Sequence, residues 1–377
     1  MNKPAPLQLT RRALLRTAAT VAGAQAANVA ASTIIPFLPV AQQNQTVGRN
    51  TPRTRSKATD MRVEEVSYNF EDYLYRAPYK FGGRVVDRVT LLNVYCTARS
   101  SDGHAAQGFG SMTLGNMWAF PSRVMSYDTT LGAMKMLAGR IQKITAEYQG
   151  NGHPIEINFA LEPLYLQAAA EVSRELKLAA LIPKLCMLVV ASPFDAAMHD
   201  AFGKLHNRSA YQTYGPDLMS YDLARYLGID FRGEYLDRYV RRMPVARMHV
   251  YHSVGALDPL TAADIKQRIG DGLPETLPEW INYNGITHVK IKLNGEDAKW
   301  DIERVVSIDR VVAETLEQGR RKPVSWKYLL DFNENCADVD YLLEVLGQIK
   351  VRTPDGFRRI QYVEQPTARD LQANRSN

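Results

Sequence analysis

The sequence predicts an α+β domain followed by the first half of a parallel (β/α) barrel. Residues 61–240 combine a hairpin pattern with long amphipathic helical patterns, which is typical of an antiparallel sheet packed against helices. Residues 241–377 instead alternate short apolar strands with helices, which indicates a parallel sheet with helical crossovers. A complete eight-stranded barrel needs about 250 residues. The second domain is therefore expected to supply only the first four strands.

The charge distribution argues against nucleic-acid binding by the folded part. The chain has 46 basic and 40 acidic side chains and a formal net charge of +6. Residues 1–57 hold eight of the basic side chains and no Asp or Glu, which leaves a net charge of −2 for the remaining 320 residues. A nucleic-acid binder concentrates positive charge on the domain that binds, so no nucleic-acid partner is expected. Three widely spaced cysteines (Cys96, Cys186 and Cys336) predict buried thiols rather than disulfides or a zinc site.

Residues 1–41 resemble a twin-arginine export signal, and residues 42–60 form a polar linker. Arg11 and Arg12 precede an Ala-rich stretch that has no acidic residue and contains small-residue cleavage sites. This pattern predicts a periplasmic protein; a cytoplasmic protein whose tail contains an arginine pair by chance is the alternative. The stretch is interrupted by Arg16 and is too rich in Ala and Thr to predict stable membrane insertion.

Turn and capping residues set the elements of the first domain. Two β-prone runs flank Asp102-Gly103, which predicts a hairpin. Asp128 is predicted to cap a helix over residues 129–148, whose apolar residues recur every three or four positions. Ser192-Pro193 is predicted to begin a later helix, because serine favours the cap and proline the first helical position.

The second domain is predicted as four strand and helix units. The strand patterns lie at 246–255, 287–295, 325–335 and 359–366. Helices are predicted after a cap at Thr261, at 301–319 and at 337–350. Each strand is mainly apolar, as expected for strands buried under helices on a parallel sheet.

Charged residues lie near the carboxyl ends of three of these strands. Lys290 and Lys292 alternate with apolar residues, so both are predicted to point into the barrel. Two buried ammonium groups side by side lower a lysine pKa, as a general base near neutral pH requires. Asp331 and Glu364 end the next two strands and suit a hard cation, chiefly Mg²⁺. A Lys-x-Lys pair taken alone is more often an exposed strand end.

The ordered set of Lys-x-Lys, Asp-x-Asn and Glu-Gln-Pro on consecutive strands resembles the enolase superfamily, in its mandelate racemase/muconate lactonizing enzyme branch. The resemblance covers residues 62–377 and includes Arg76-Ala77-Pro78 and the segment 192–215. It implies an N-terminal capping domain over 61–240 and a TIM-type barrel from 241. It also implies Mg²⁺-dependent abstraction of a proton α to a carboxylate, through an enediolate intermediate.

The same resemblance implies a role for each residue of the set. Lys292 would be the catalytic base, and Lys290 would tune its charge beside the substrate carboxylate. Asp331 and Glu364 would be metal ligands, and Asn333 would contact the substrate or the ligand shell of the metal.

The aromatic residues Tyr73, Tyr75, Tyr79 and Phe81 are candidates for a substrate lid, with Tyr79 and Phe81 as its substrate contacts, although packing explains them equally well. The reaction stays open between an acid-sugar or hydroxy-acid dehydratase, a racemase and a cycloisomerase, each acting on a small carboxylate.

The family's third acidic ligand and second catalytic group lie on later strands, and this chain ends at Asn377 before them. The chain is therefore expected to be a truncated version of a longer enzyme, which would be homo-oligomeric when complete. A noncatalytic or inactive fragment with at most a binding or assembly role is the alternative.

Overall fold

The computed structural model describes residues 57–81, 84–318, 325–371 and 373–374. The predicted export signal, 1–41, and nearly all of the linker lie outside the described residues. Two compact units are present. The first comprises residues up to Glu71, Leu91–Leu114 and Val124–Pro244, and the second comprises Asp72–Thr90, Gly115–Arg123 and the residues from Val245 onward. The second unit thus includes a stretch of the N-terminal half of the chain, Asp72–Thr90, as well as the parallel strands.

The N-terminal sheet has the strand order β3-β2-β1-β4, and the β2/β3 and β1/β4 pairs are antiparallel. Its strands are β1 (Met61–Phe81), β2 (Arg84–Ser100), β3 (Ala105–Thr113) and β4 (Asn151–Gly152). The helices of this half of the chain are α1 (Asn116–Ala119), α2 (Tyr127–Ala146), α3 (Pro154–Glu175), α4 (Lys184–Leu205) and α5 (Ala224–Leu227). Short 3₁₀ turns follow at Ala210–Gln212, Ile229–Phe231 and Leu236–Arg238.

The predicted hairpin at Asp102-Gly103 is confirmed. Gly103 has φ +91°, and its N–H donates to the carbonyl of Ser100 at 3.0 Å. On β3, a Cβ at Gly108 would lie 2.0 Å from the carbonyl oxygen of Ala197, and one at Gly110 would lie 2.1 Å from that of Pro193. Glycine is therefore required for β3 to approach the α4 backbone so closely.

Two predicted helix starts are wrong. Helix α2 begins at Tyr127 because Ser126, not Asp128, accepts a hydrogen bond from the N–H of Thr129. Helix α4 begins at Lys184 and contains Pro193 in its interior.

The apolar run before Pro193 is buried as part of α4, and this burial opposes the helix-breaking effect of proline. Proline leaves the carbonyl of Val189 without its backbone donor, and the hydroxyl of Ser192 donates to that oxygen at 2.8 Å instead. Among the described helices, α4 is also long and apolar enough to cross a membrane by length and composition, and 61% of the qualifying stretch is buried inside the protein. A buried core helix of a soluble protein has the same character.

His153 is a fully buried histidine that caps helix α3. Its Nδ1 accepts a hydrogen bond from the N–H of Ile155 at 3.2 Å, and its ring packs edge-on against Phe202. Burial lowers the pKa of His153 from 6.5 to about 3. Protonation would also place a hydrogen on the nitrogen that faces the N–H of Ile155. The fold therefore holds this imidazole in its neutral form.

This burial predicts a loss of stability in mild acid. Below pH 6.5 the unfolded chain takes up a proton on His153 that the native protein does not accept until about pH 3, so stability falls as the pH falls across that window. Between pH 7 and pH 4.5 the contribution is about 2–3 kcal/mol. His153→Asn keeps a capping acceptor and should flatten the pH dependence of unfolding by that amount, as measured by urea denaturation with circular dichroism. An unchanged slope in the variant would contradict the assignment.

The C-terminal sheet consists of four parallel strands in the order β5-β6-β7-β8, which confirms the predicted parallel sheet. The strands are β5 (Tyr251–Val254), β6 (His288–Lys292), β7 (Lys327–Asp331) and β8 (Ile360–Glu364). The helices are α6 (Leu277–Asn284), α7 (Ala298–Gln318), α8 (Val339–Arg352) and α9 (Pro354–Arg359), with a 3₁₀ turn at Ala262–Asp264. The residues at Val289, Ile291 and Leu293 are buried in the core that includes α7, as the alternation on β6 predicts.

The segment between β5 and β6 differs from its prediction. Thr261 caps only a 3₁₀ turn, in which Asp264 accepts hydrogen bonds from the N–H and hydroxyl of Thr261. The helix of this unit begins later, where Thr276 and Glu279 form a capping box.

Candidate active site

The carboxyl ends of β6, β7 and β8 place three charged residues in one row. In the parallel registers, Lys292 pairs with Asp331, and Asp331 pairs with Glu364. Paired residues on neighbouring strands project to the same face of a sheet. Residues that are distant in sequence therefore meet at one end of this sheet, as the sequence motifs predict.

Lys290 and Lys292 form ion pairs with these carboxylates. The Nζ of Lys292 donates to Oδ2 of Asp331 at 2.5 Å, and the Nζ of Lys290 lies 2.9 Å from the same oxygen. The Nζ of Lys290 also donates to Oε2 of Glu364 at 2.7 Å. The side chains of Asp331 and Lys292 are only 1% and 6% exposed, whereas those of Lys290 and Glu364 are 24% and 32% exposed. The inner pair is thus shielded from water, which strengthens its electrostatic interaction.

The carboxylates raise the pKa of Lys290, whereas the sequence alone predicts a lowered lysine pKa. Burial opposes the charge of Lys290, but the hydrogen bonds to Glu364 and Asp331 outweigh it and raise the pKa of Lys290. Burial also opposes the charge of Asp331, but the hydrogen bonds from Lys292 and Lys290 outweigh it and lower the pKa of Asp331. The expectation that neighbouring ammonium groups depress the pKa is therefore wrong for Lys290, because each cation has an anionic partner.

Asn333 connects the lysine of this row to the backbone around it. Its Oδ1 accepts a hydrogen bond from the Nζ of Lys292 at 3.0 Å, and its Nδ2 donates to the carbonyl of Leu293 at 3.1 Å. Its own N–H donates to Oδ1 of Asp331 at 3.0 Å. This turn requires φ +54° at Asn333 and +67° at Glu334, in the left-handed region that asparagine tolerates better than most residues. Asn333 therefore orients Lys292 as well as lining the site.

Asp301, which the sequence analysis did not single out, holds the loop that follows Lys292. It is fully buried, and its two carboxylate oxygens accept hydrogen bonds from the N–H groups of Asn294 at 2.7 Å and Gly295 at 2.9 Å. The hydroxyl of Tyr341 donates to it at 2.8 Å. An acid in the first turn of α7 is also a common helix-capping pattern, so the sequence carries no separate signal for this function.

Two cavities lie beside Asn333, and both are formed within the second unit. A small cleft of about 20 Å³ is bordered by Lys80, Lys292 and Asn333 and has room for about one water molecule. A larger cavity of about 310 Å³ is bordered on one side by Asn333 and Gln365 and on another by Trp118 and Arg123. Its volume is at the lower end of the range for small-molecule pockets.

Of the two predicted substrate contacts of the lid, the structure describes the side chain of Tyr79 but not that of Phe81. Tyr79 is half-buried and lines neither cavity, whereas the side chain of Phe81 lies outside the described residues. Lys80, between them, lines the small cleft, and its Nζ lies 3.5 Å from Oδ1 of Asn294. Alternation along β1 places Lys80 on the face opposite Tyr79, which is the signal that could have identified it from the sequence.

Asp331 and Glu364 are the oxygen donors available to a cation in this row. Both place an oxygen within 2.9 Å of a single point, the ammonium of Lys290. Among the described residues, no group of three or more His, Cys, Asp and Glu side chains is placed to hold a metal ion together.

Comparison with solved structures finds similarity to members of the branch indicated by the motifs. A dipeptide epimerase from Enterococcus faecalis, solved with Mg and the dipeptide L-Leu-L-Tyr, is 15% identical with a TM-score of 0.46; the match covers 82% of this chain and 63% of that one. A mandelate racemase/muconate lactonizing protein from Herpetosiphon aurantiacus is 15% identical with a TM-score of 0.47, covering 84% and 64%. An enolase from Bradyrhizobium, solved with magnesium and mandelic acid, is 14% identical with a TM-score of 0.45, covering 83% and 63%.

The chain thus spans less than two thirds of the length of these solved structures. No protein-family model and no curated protein matches the chain.

Proposed function

We propose that this chain carries the capping domain and first four barrel strands of an enolase-superfamily enzyme that removes a proton α to a carboxylate. The observation that carries the proposal is the row of Lys292, Asp331 and Glu364 across three consecutive parallel strands, with Lys290 bridging both acids. A cationic amine beside two carboxylates at the carboxyl end of such strands is the arrangement that this chemistry uses.

The curvature of the C-terminal sheet supports the barrel part of the proposal. Strands β5 and β8 are the two edges of the sheet, which would lie about 14 Å apart if it were flat. The hydroxyl of Tyr251 on β5 nevertheless donates to Oε1 of Gln361 on β8 at 2.7 Å, and its ring lies 6.1 Å from that of Tyr362. A contact between the two edge strands supports a sheet that curls toward its lysine-bearing face, as the wall of a barrel does.

Lys292 is the proposed base because it is the more buried lysine and because two acceptors fix its Nζ. Oδ2 of Asp331 and Oδ1 of Asn333 hold that nitrogen at 2.5 and 3.0 Å, so its position is set before a substrate arrives. Lys290 is partly exposed at the same mouth and is proposed to attract the substrate's carboxylate.

Mg²⁺ is the proposed cofactor, and the donors present fit it. Asp331 and Glu364 offer hard carboxylate oxygens that already converge on one cation, the ammonium of Lys290. Mg²⁺ is present in the similar epimerase and enolase structures. Bound to these two residues, it would supply positive charge that stabilises negative charge developing on the substrate.

The substrate is proposed to be a small carboxylic acid, since the adjacent cavity has a volume of about 310 Å³. The similar solved structures hold a dipeptide in one case and mandelic acid in another. No finding supports the alternative of a noncatalytic fragment.

Exchange of the α-proton with solvent tests this function directly. The full 377-residue chain, incubated with Mg²⁺ in deuterium oxide and a panel of 2-hydroxy acids and dipeptides, should incorporate deuterium at the α-carbon. Proton nuclear magnetic resonance measures the loss of the α-proton signal. A folded protein that exchanges no acid of the panel would contradict the assignment of proton abstraction to the residues of these four strands.

A further inference from the structure

The larger cavity beside the candidate active site contains an arginine that is not neutralised. Arg123 borders this cavity as an exposed side chain, and its guanidinium makes no hydrogen bond or ion pair with any group in the described ranges 57–81, 84–318, 325–371 and 373–374. Arginine is always charged and presents a planar set of donors that matches an anionic group in a bidentate manner. A free guanidinium at a cavity wall therefore has the chemistry to bind an anion.

The second arginine of the cavity is in a different state. Arg369 donates through Nε to both carboxylate oxygens of Glu334 at 3.0 Å, and through a terminal nitrogen to the carbonyl of Trp118 at 3.1 Å. These contacts neutralise Arg369 and fix the wall that carries Trp118. The two arginines and one glutamate leave the lining with a net charge of +1, which belongs to Arg123.

The rest of the lining is uncharged and combines polar with apolar side chains. Asn335 and Gln365 present amide groups, and the indole of Trp118 supplies a flat apolar surface. Such a lining can contact a short carbon chain of the ligand, while a charged group at the end of that chain is recognised by the arginine.

The cavity adjoins the proposed catalytic row at Asn333. Asn333 borders both the larger cavity and the small cleft of Lys292, and it also accepts a hydrogen bond from that lysine. A ligand in the cavity thus lies next to the residue that orients the proposed base.

We infer that Arg123 binds a second anionic group of the substrate, at the end of the molecule away from the carboxylate that borders the reacting carbon. The preferred substrates are then 2-substituted acids that carry a distal carboxylate or phosphate, rather than acids with an uncharged end. This inference rests on the proposed function only in calling the ligand a substrate. Binding of an anion at Arg123 is measured independently of any reaction.

Calorimetric titration with three acids tests the inference. The probes are 2-hydroxyglutarate, with a distal carboxylate, 3-phosphoglycerate, with a distal phosphate, and 2-hydroxypentanoate, with an uncharged end. The wild-type chain should bind at least one dianionic acid about fivefold more tightly than 2-hydroxypentanoate, the upper range for an ion pair of an exposed side chain that solvent screens. The tighter of the two dianions identifies the distal group.

Two variants locate the effect. Arg123→Gln should abolish the preference for the dianionic acid, whereas Arg310→Gln, which removes an exposed arginine of α7, should retain it. Equal affinities for all three acids in the wild type, or a preference that survives in Arg123→Gln, would overturn the inference.

Deuterium exchange on the same acids separates this inference from the proposed function. Exchange without a dianion preference would overturn the role of Arg123 and leave the proposed reaction intact. A dianion preference that depends on Arg123, without exchange of any acid, would sustain the binding site and contradict the reaction.

Discussion

Replacing Lys292 by methionine is expected to reduce α-proton exchange by about 10²- to 10⁴-fold, the usual contribution of a general base. Methionine retains an unbranched stem in this buried position and removes only the ammonium group. Asp331 keeps its ion pair with Lys290 at 2.9 Å, so the variant should remain folded. Deuterium incorporation measured by nuclear magnetic resonance gives the rate, and the thermal midpoint checks the fold.

The matched control is Lys299→Met, which removes an exposed lysine of α7 and should leave exchange at the wild-type rate. Lys290→Met tests the division of roles between the two lysines. If exchange survives in Lys292→Met and disappears in Lys290→Met, the base is Lys290 and the assignment proposed above is incorrect.

The strand positions of the candidate site could be predicted because a parallel sheet repeats one simple geometry. Alternation on β6 separates Lys290 and Lys292 from the buried apolar residues, and consecutive parallel strands align their carboxyl ends. The row from Lys292 to Glu364 follows from those two rules alone. Tertiary packing only adjusts the exact register.

The features that could not be predicted depend on contacts between distant residues. Pro193 lies inside a helix because the surrounding apolar residues are buried and because Ser192 supplies a replacement hydrogen bond. The pKa of Lys290 rises because two acids from other strands reach its ammonium. Arg123 has no motif, and its importance becomes visible only when the cavity and the ion pair of Arg369 are known.

Replacing Asp331 by alanine is expected to cost about 3–5 kcal/mol of unfolding free energy, because it leaves buried charges without their partner. The carboxylate of Asp331 is 1% exposed and contacts both Lys290 and Lys292. Its removal takes away the carboxylate that lies 2.5 Å from the more buried ammonium, that of Lys292. Asn333 still accepts a hydrogen bond from this ammonium but carries no negative charge. Urea denaturation followed by circular dichroism measures the change.

Two further variants distinguish loss of charge balance from loss of volume at Asp331. Glu364→Gln removes the acid that is 32% exposed and should cost less than about 1 kcal/mol, since solvent screens that pair. The triple variant that combines Asp331→Leu with Lys290→Met and Lys292→Met removes every charge at the inner position. It should recover most of the stability that Asp331→Ala loses, because apolar side chains of similar volume replace buried ion pairs at little cost. A triple variant as unstable as Asp331→Ala would show that the cost arises from packing and that the two lysines do not depend on this carboxylate for their burial.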